Sequence, residues 1–242
     1  MTTYKEINGT AVQNYAGDLP GAADGQLWYN STATNFKFQY AATAAAWSTG
    51  GNLNTGRKSL AGSGTQTAAL GFGGDTGSLS ALTESYNGSA WTEVNDLQTA
   101  RSRLAGAGTN TAALAFGGDN PTRTETEIWN GTNWTEVNNL GTGRYLLAGC
   151  GTNTAALGFG GYAPGAPTVN TETWNGTNWT EVNNLNTNRY NLSGAGTNTS
   201  AIAIGGTPAP TGNTELWNGT NWTVVNNLNT PRQAGTAAGV SN

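Results

Sequence analysis

The chain has 242 residues, of which only 10% are charged and 36 are glycine, and its formal net charge is −4. This composition favours short strands joined by tight turns over long helices, and the lack of excess positive charge argues against nucleic acid as a partner. His is absent and Cys150 is the only cysteine, which excludes an internal disulfide, a Cys/His zinc site and a histidine general base. We therefore predict no cofactor, no metal and no enzymatic activity.

The first 57 residues hold an extension and then a partial repeat. Residues 1–20 begin MTTYKEINGT, without the apolar stretch of a signal peptide, and no apolar run in the chain approaches the roughly 20 residues that span a bilayer. We therefore predict a soluble chain without membrane insertion. After the extension, LWYNS near Trp28, NFKFQY from Asn35 and AAWSTGGNLNTGR ending at Arg57 predict three β-strands.

Four near-copies of one unit follow, and each ends in an arginine. The units have lengths of 43 to 45 residues, which is typical of propeller blades and unlike leucine-rich or ankyrin repeats. The predicted blades span residues 58–101, 102–144, 145–189 and 190–232.

Each unit predicts four strands. In the second unit, LAGAG (104–108) predicts an inner strand of small residues, which suits the narrow axis where blades converge. The segment TAALAFGG (111–118) predicts an apolar second strand, and TETEIWNGTNWTEVNNL predicts two strands around a two-residue Asn130-Gly131 hairpin turn. Trp129 and Trp134, five residues apart like their counterparts in the other units, are predicted to fill the space between adjacent sheets.

The recurring order of FGG or IGG, an aromatic residue, a tryptophan and an arginine resembles the kelch repeat. The resemblance covers residues 58–232, although the NGT or NGS turn is shorter than the usual kelch linker. It implies a propeller of four-stranded antiparallel blades.

The two ends of the chain complement each other. The tail QAGTAAGVSN (233–242) predicts an inner strand with no blade after it, whereas residues 21–57 predict the second, third and fourth strands without an inner one. We predict that the two segments form one composite blade, which closes the ring and removes exposed sheet edges. The predicted fold is thus an all-β, five-bladed kelch-like β-propeller.

The N-terminal segment carries a second resemblance. MTTYKEINGTAVQNYAGDLP, followed by GQLWYNSTATNFKF, is similar to segments of structural and tail-fibre proteins of tailed bacteriophages. This resemblance implies location in a virion, with other virion proteins as partners.

The arginines that end the repeats are the first candidate binding residues. Each precedes a predicted inner strand, so symmetry would place them as a ring around one mouth of the channel, where guanidinium groups could bind carboxylate or phosphate. The alternative is structural, because a glutamate recurs two residues before the first aromatic residue of each repeat and could pair with an arginine. The five candidates are Arg57, Arg101, Arg144, Arg189 and Arg232.

The segments after each Gly pair differ most between repeats. Loops on a rigid scaffold often carry recognition, and Arg123 and Tyr162 are the loop side chains best suited to bind a sugar. The alternative is sequence drift in unconstrained loops. Cys150 takes the position of Ser63, Ala107 and Ala195, which predicts a small buried residue.

These observations leave two main functions open. The first is a virion-associated module, without enzymatic activity, that recognises a host-surface glycan or protein through one propeller face. The second is a structural or decoration protein that docks to other virion proteins and has no ligand of its own. A copper oxidase is disfavoured, because copper would need His or Cys ligands.

Overall fold

A computed structural model describes residues 14–16, 27–38, 49–119 and 121–239, and the chain divides into two compact units, Met1–Thr49 and Gly50–Asn242. The first unit contains a three-stranded sheet, in which β1 is parallel to β2 and β2 is antiparallel to β3. LWYN and NFKF therefore form strands as predicted. The strands are β1 (Asn14–Tyr15), β2 (Leu27–Asn30) and β3 (Asn35–Phe38).

The second unit is a β-propeller arrangement with four four-stranded antiparallel blades. In each blade the strands follow one another from the inside to the outside. The blades are β4 (Ala61–Thr65), β5 (Ala68–Phe72), β6 (Thr83–Tyr86), β7 (Trp91–Val94); β8 (Ala105–Gly108), β9 (Ala113–Phe116), β10 (Thr126–Trp129), β11 (Trp134–Val137); β12 (Ala148–Gly151), β13 (Ala156–Phe159), β16 (Thr171–Trp174), β17 (Trp179–Val182); and β18 (Ser193–Gly196), β19 (Ala201–Ile204), β20 (Thr214–Trp217), β21 (Trp222–Val225). A short hairpin, β14 (Tyr162–Ala163) and β15 (Ala166–Pro167), lies in the third variable loop.

The turn between the two outer strands is built by an asparagine side chain. The Asn130 carboxamide oxygen accepts hydrogen bonds from the amides of Thr132 and Asn133, each at 2.9 Å, and Gly131 has a φ of 94°. Four residues separate β10 from β11, so the predicted two-residue hairpin is wrong. The asparagine satisfies the turn amides itself, which allows the longer connection.

Apolar contacts between successive blades form the core. A phenylalanine that ends the second strand of one blade contacts a tryptophan of the next blade, with centroid distances of 4.8 to 4.9 Å. The same tryptophan donates its indole N–H to a threonine hydroxyl of the preceding blade, as Trp134 does to Thr83 at 3.0 Å. The predicted packing role of these rings is confirmed. The three contacts are Phe72–Trp134, Phe116–Trp179 and Phe159–Trp222.

The inner strands contain glycine for a reason that the sequence did not reveal. A Cβ atom on Gly149 would lie 2.6 Å from Cζ of Phe116 and 3.0 Å from the carbonyl oxygen of Gly106, both in the preceding blade. The phenylalanine ring thus packs directly against the backbone of the next inner strand.

Replacing Gly149 by alanine should therefore destabilise the protein by about 1–3 kcal/mol, the usual effect of overpacking. Gly56→Ala is the control, because no atom lies within 4 Å of its would-be Cβ. Urea unfolding followed by tryptophan fluorescence measures both variants. Equal midpoints for the two variants would contradict this account of the glycine.

The predicted fifth blade is not formed among the described residues. Residues 233–239 contain no strand, and the first residues of the predicted fourth strand, 45–48, lie outside the described part. The tail nevertheless repeats one feature of the blades. The second residue after each repeat-end arginine has a φ of 53° to 56°, and backbone hydrogen bonds of 2.8 to 3.0 Å join each of these residues to its counterpart in the next repeat or in the tail. These residues are Ser59, Arg103, Leu146, Asn191 and Ala234.

Candidate functional site

Four of the five repeat-end arginines are buried in ion pairs. Their side chains are 0% to 1% exposed, and each guanidinium lies 2.5 to 3.1 Å from a glutamate oxygen of the third strand in the following repeat. They therefore present no exposed cation to a ligand in this structure, and the pairing agrees with the structural alternative. The pairs are Arg57–Glu84, Arg101–Glu127, Arg144–Glu172 and Arg189–Glu215.

Each pair connects two successive repeats. The Glu172 carboxylate also accepts a hydrogen bond from the Gly141 amide at 2.7 Å, and Nη1 of Arg144 donates to the Asn170 carbonyl oxygen. The carboxylate and the guanidinium together satisfy backbone groups that would otherwise be buried without partners. Burial lowers the pKa of Arg101, Arg144 and Arg189, and it raises the pKa of Glu127.

The fifth arginine differs from the other four. Arg232 is exposed, and its Nε donates to the carbonyl oxygen of Thr230 at 3.3 Å. Within the described ranges it forms no ion pair. The five arginines are thus not an equivalent ring of exposed cations.

The two predicted loop residues have different surroundings. Arg123 donates to Glu125 of its own loop at 2.7 Å, and its side chain is only 19% exposed. Tyr162 is half-buried and contacts two other tyrosine rings. The structure therefore places Tyr162, but not Arg123, in an aromatic cluster.

That cluster lies where the start of an inner strand meets the end of a second strand. In each blade the residue after the repeat-end arginine is joined by backbone hydrogen bonds to the residue after the Gly pair. The backbone geometry repeats but the side chains do not. The paired residues are Lys58 and Asp75, Ser102 and Asp119, Tyr145 and Tyr162, and Tyr190 and Thr207.

At this end of the propeller, one arginine and three tyrosines form a row, which we call the tyrosine row: Arg103, Tyr145, Tyr162 and Tyr190. The Arg103 guanidinium lies 6.0 Å from the Tyr145 ring centroid. The Tyr145 and Tyr162 centroids are 5.4 Å apart, and those of Tyr162 and Tyr190 are 5.1 Å apart. Only Tyr162 was identified from the sequence; the signal for Tyr145 and Tyr190 was their position directly after a repeat-end arginine.

An acidic residue orients Arg103. Asp119 accepts hydrogen bonds from Nη1 of Arg103 at 2.8 Å and from the Ser102 hydroxyl at 2.7 Å. The Arg103 side chain is 47% exposed and that of Asp119 is 13% exposed. The pair therefore offers a donor and an acceptor side by side next to the aromatic rings.

Cys150 is buried in the inner strand of its blade, as predicted, and its thiol donates to the Thr197 carbonyl oxygen at 3.5 Å. Burial raises its pKa to about 12, so the thiolate is scarce at neutral pH. We expect no reaction with iodoacetamide at pH 8 in the folded protein and full labelling in urea, as measured by intact mass. Labelling of the folded protein would contradict this burial.

Concave spaces among the described residues include the following two. The central channel holds about 180 Å³ and is lined by small inner-strand residues of all four blades together with Gly235, Thr236 and Ala237 of the tail. A space of about 330 Å³ lies beside the fourth variable loop, residues 207–211. Over the described part of the chain, no three His, Cys, Asp or Glu side chains are grouped to hold a metal.

Comparison with known proteins leaves the family open. No family model matches the chain, and no curated protein shows significant similarity to it. Within the described residues, no helix has the length and apolar character needed to cross a membrane. The kelch and phage resemblances therefore gain no support beyond the β-propeller arrangement, and function must be argued from the geometry of the blades.

Proposed function

We propose that the protein is a binding module without enzymatic activity, which recognises a glycan or protein on a cell surface through the end of the propeller that carries the tyrosine row. The proposal rests on the contrast between the residues that recur in every blade and the residues that differ between blades. Residues that recur in every blade are buried in ion pairs and ring contacts, whereas those at the paired positions differ in charge and in ring content. A rigid scaffold that displays varied side chains is the usual arrangement of a recognition surface.

We place this module on a virion, where the recognised surface would be that of a bacterial host. This part of the proposal rests on the resemblance of the N-terminal segment to phage structural and tail-fibre proteins.

The test is binding of the fluorescently labelled full chain to a broad glycan array and, by flow cytometry, to a panel of bacterial species. Saturable binding to glycans or cells is the expected result. Failure to bind either, together with affinity for other virion proteins, would overturn the proposal and favour a structural or decoration protein.

We also propose that a fifth blade closes the ring, composed of residues 21–57 and 233–242. The tail supports this idea in two ways. The Ala234 amide donates to the Asn191 carbonyl oxygen at 3.0 Å, which extends the hydrogen bonds between successive blades. Gly235, Thr236 and Ala237 line the channel beside the four inner strands.

The fourth blade supplies a further argument. Ile204 and Thr214 occupy the positions of Phe159 and Thr171, which contact Trp222 of the next blade. Within the described residues no indole N–H donates to the Thr214 hydroxyl, as Trp222 does to that of Thr171. Trp47 stands ten residues before Arg57, the spacing that separates Trp222 from Arg232, which supports residues 45–57 as the fourth strand of the proposed fifth blade.

A further inference from the structure

We propose that the tyrosine row is a binding site for a neutral, pyranose-containing glycan. This inference rests on the proposed function and deepens it, because it names the ligand class and the residues that contact the ligand.

The aromatic rings suit the apolar face of a sugar. Tyr145, Tyr162 and Tyr190 are half-buried, so packing fixes each ring while part of it stays accessible. Tyrosine supplies a rigid, amphipathic contact surface at low entropic cost. Among the described residues none of the three hydroxyl groups has a hydrogen-bond partner, which leaves them available to sugar hydroxyls. Three rings in a row can contact more than one sugar unit, which favours an oligosaccharide over a monosaccharide.

The pair beside the rings suits sugar hydroxyls. Sugar hydroxyls both donate and accept hydrogen bonds, and Arg103 and Asp119 present a donor and an acceptor that are already hydrogen-bonded to each other at 2.8 Å. Ser102 fixes the carboxylate from the other side. Because Arg103 uses one N–H group for Asp119 and is 47% exposed, its other N–H groups can reach a ligand.

Charge balance selects a neutral ligand over an acidic one. Asp119 neutralises Arg103, and in the first blade Asp75, the counterpart of Asp119, lies 3.5 Å from the Lys58 ammonium group. The buried repeat-end arginines cannot contribute positive charge, and the whole chain carries −4. A sulfated or sialylated glycan would need an uncompensated cation at the rings, and Arg103, the cation that lies against a ring of the row, is already paired with Asp119.

The test uses an array of neutral hexose oligosaccharides and their sulfated and sialylated counterparts, followed by calorimetric titration of the strongest neutral oligosaccharide. Arg103→Ala and Tyr162→Ala should each weaken binding about tenfold or more, as expected for residues central to an interface. Lys58→Ala is the control, because it removes a cation paired with Asp75, the counterpart of Asp119 in the first blade, and its affinity should stay within about twofold. Should Tyr162→Ala fail to fold, Tyr162→Phe keeps the ring and measures the contribution of the hydroxyl group alone to the affinity.

The outcomes separate this inference from the proposed function. If Arg103→Ala and Tyr162→Ala, or Arg103→Ala alone where Tyr162→Ala does not fold, leave the affinity for neutral oligosaccharides unchanged, the site is overturned and the binding module still stands. Binding of only sulfated or sialylated glycans would overturn the neutral ligand class. Absence of binding to every glycan overturns this inference, whereas the proposed function fails only if cells are not bound either.

Discussion

Replacing Arg144 by methionine is expected to lower the free energy of unfolding by about 3–5 kcal/mol, because Glu172 would be left buried without its cation. The side chains of this pair are 0% and 4% exposed. A loss of this size is a large share of the roughly 5–15 kcal/mol that holds a typical domain together. Urea denaturation monitored by tryptophan fluorescence provides the measurement.

Two further variants show whether the loss comes from the unpaired charge. The double variant Arg144→Met/Glu172→Gln removes both charges and keeps an acceptor for the Gly141 amide, so it should recover most of the stability. Arg232→Met changes the exposed fifth arginine and should alter the free energy of unfolding by no more than about 0.5 kcal/mol. If Arg144→Met unfolds at the same urea concentration as the parent protein, the pair does not stabilise the contact between repeats.

The same variants bear on how the arginines should be interpreted. A protein in which all repeat-end arginines are replaced would fail to bind a ligand simply by unfolding. Arg232→Met is therefore the informative variant for a direct contact with a ligand, because Arg232 is the exposed member of the set.

Deletion of residues 1–49 is expected to lower the free energy of unfolding by about 3 kcal/mol or more, comparable to the loss of one buried aromatic side chain. The proposed fifth blade would lose its outer strands, and the unpaired surfaces of the first and fourth blades would be exposed, including Ile204. Exposed sheet edges and apolar surface promote association. Urea denaturation and light scattering coupled to size-exclusion chromatography measure the two effects.

The matched control is deletion of residues 2–13, which precede β1 and leave β1, β2 and β3 in place. It should change neither the unfolding midpoint nor the oligomeric state. A monomeric protein of unchanged stability after the longer deletion would show that the ring does not need these residues, and the composite blade would be abandoned.

The repeats made much of the fold predictable. Small residues at 104–108, the apolar segment ending in Gly117 and Gly118, and the two strands around Asn130 each became a strand of one four-stranded sheet. Local alternation and turn chemistry act within a few residues, so they can be recognised in the sequence. The length of the outer turn was missed because the hydrogen bonds of the Asn130 side chain depend on the folded backbone.

The candidate site was less predictable. Arg123 was selected as a loop cation, yet its charge is neutralised by Glu125 within the same loop. Arg103 was not selected, although it lies two residues beyond a repeat-end arginine. Arg103 belongs to the candidate site because it is hydrogen-bonded to Asp119, sixteen residues away, and lies over the ring of Tyr145 in the next repeat. Contacts between residues this far apart in the chain, within a blade or between blades, leave no local pattern in the sequence.

The sequence by itself determined the repeat and the strands of each blade. It also indicated that the recurring glutamates could pair with the repeat-end arginines. These features are encoded by composition and spacing within about 45 residues. Only the tertiary structure decided that four arginines are buried, that Phe116 packs against the backbone at Gly149, and that the tyrosine row assembles. The physical reason is that burial and ring contacts arise between successive blades, whose residues meet only after the chain has folded around the channel.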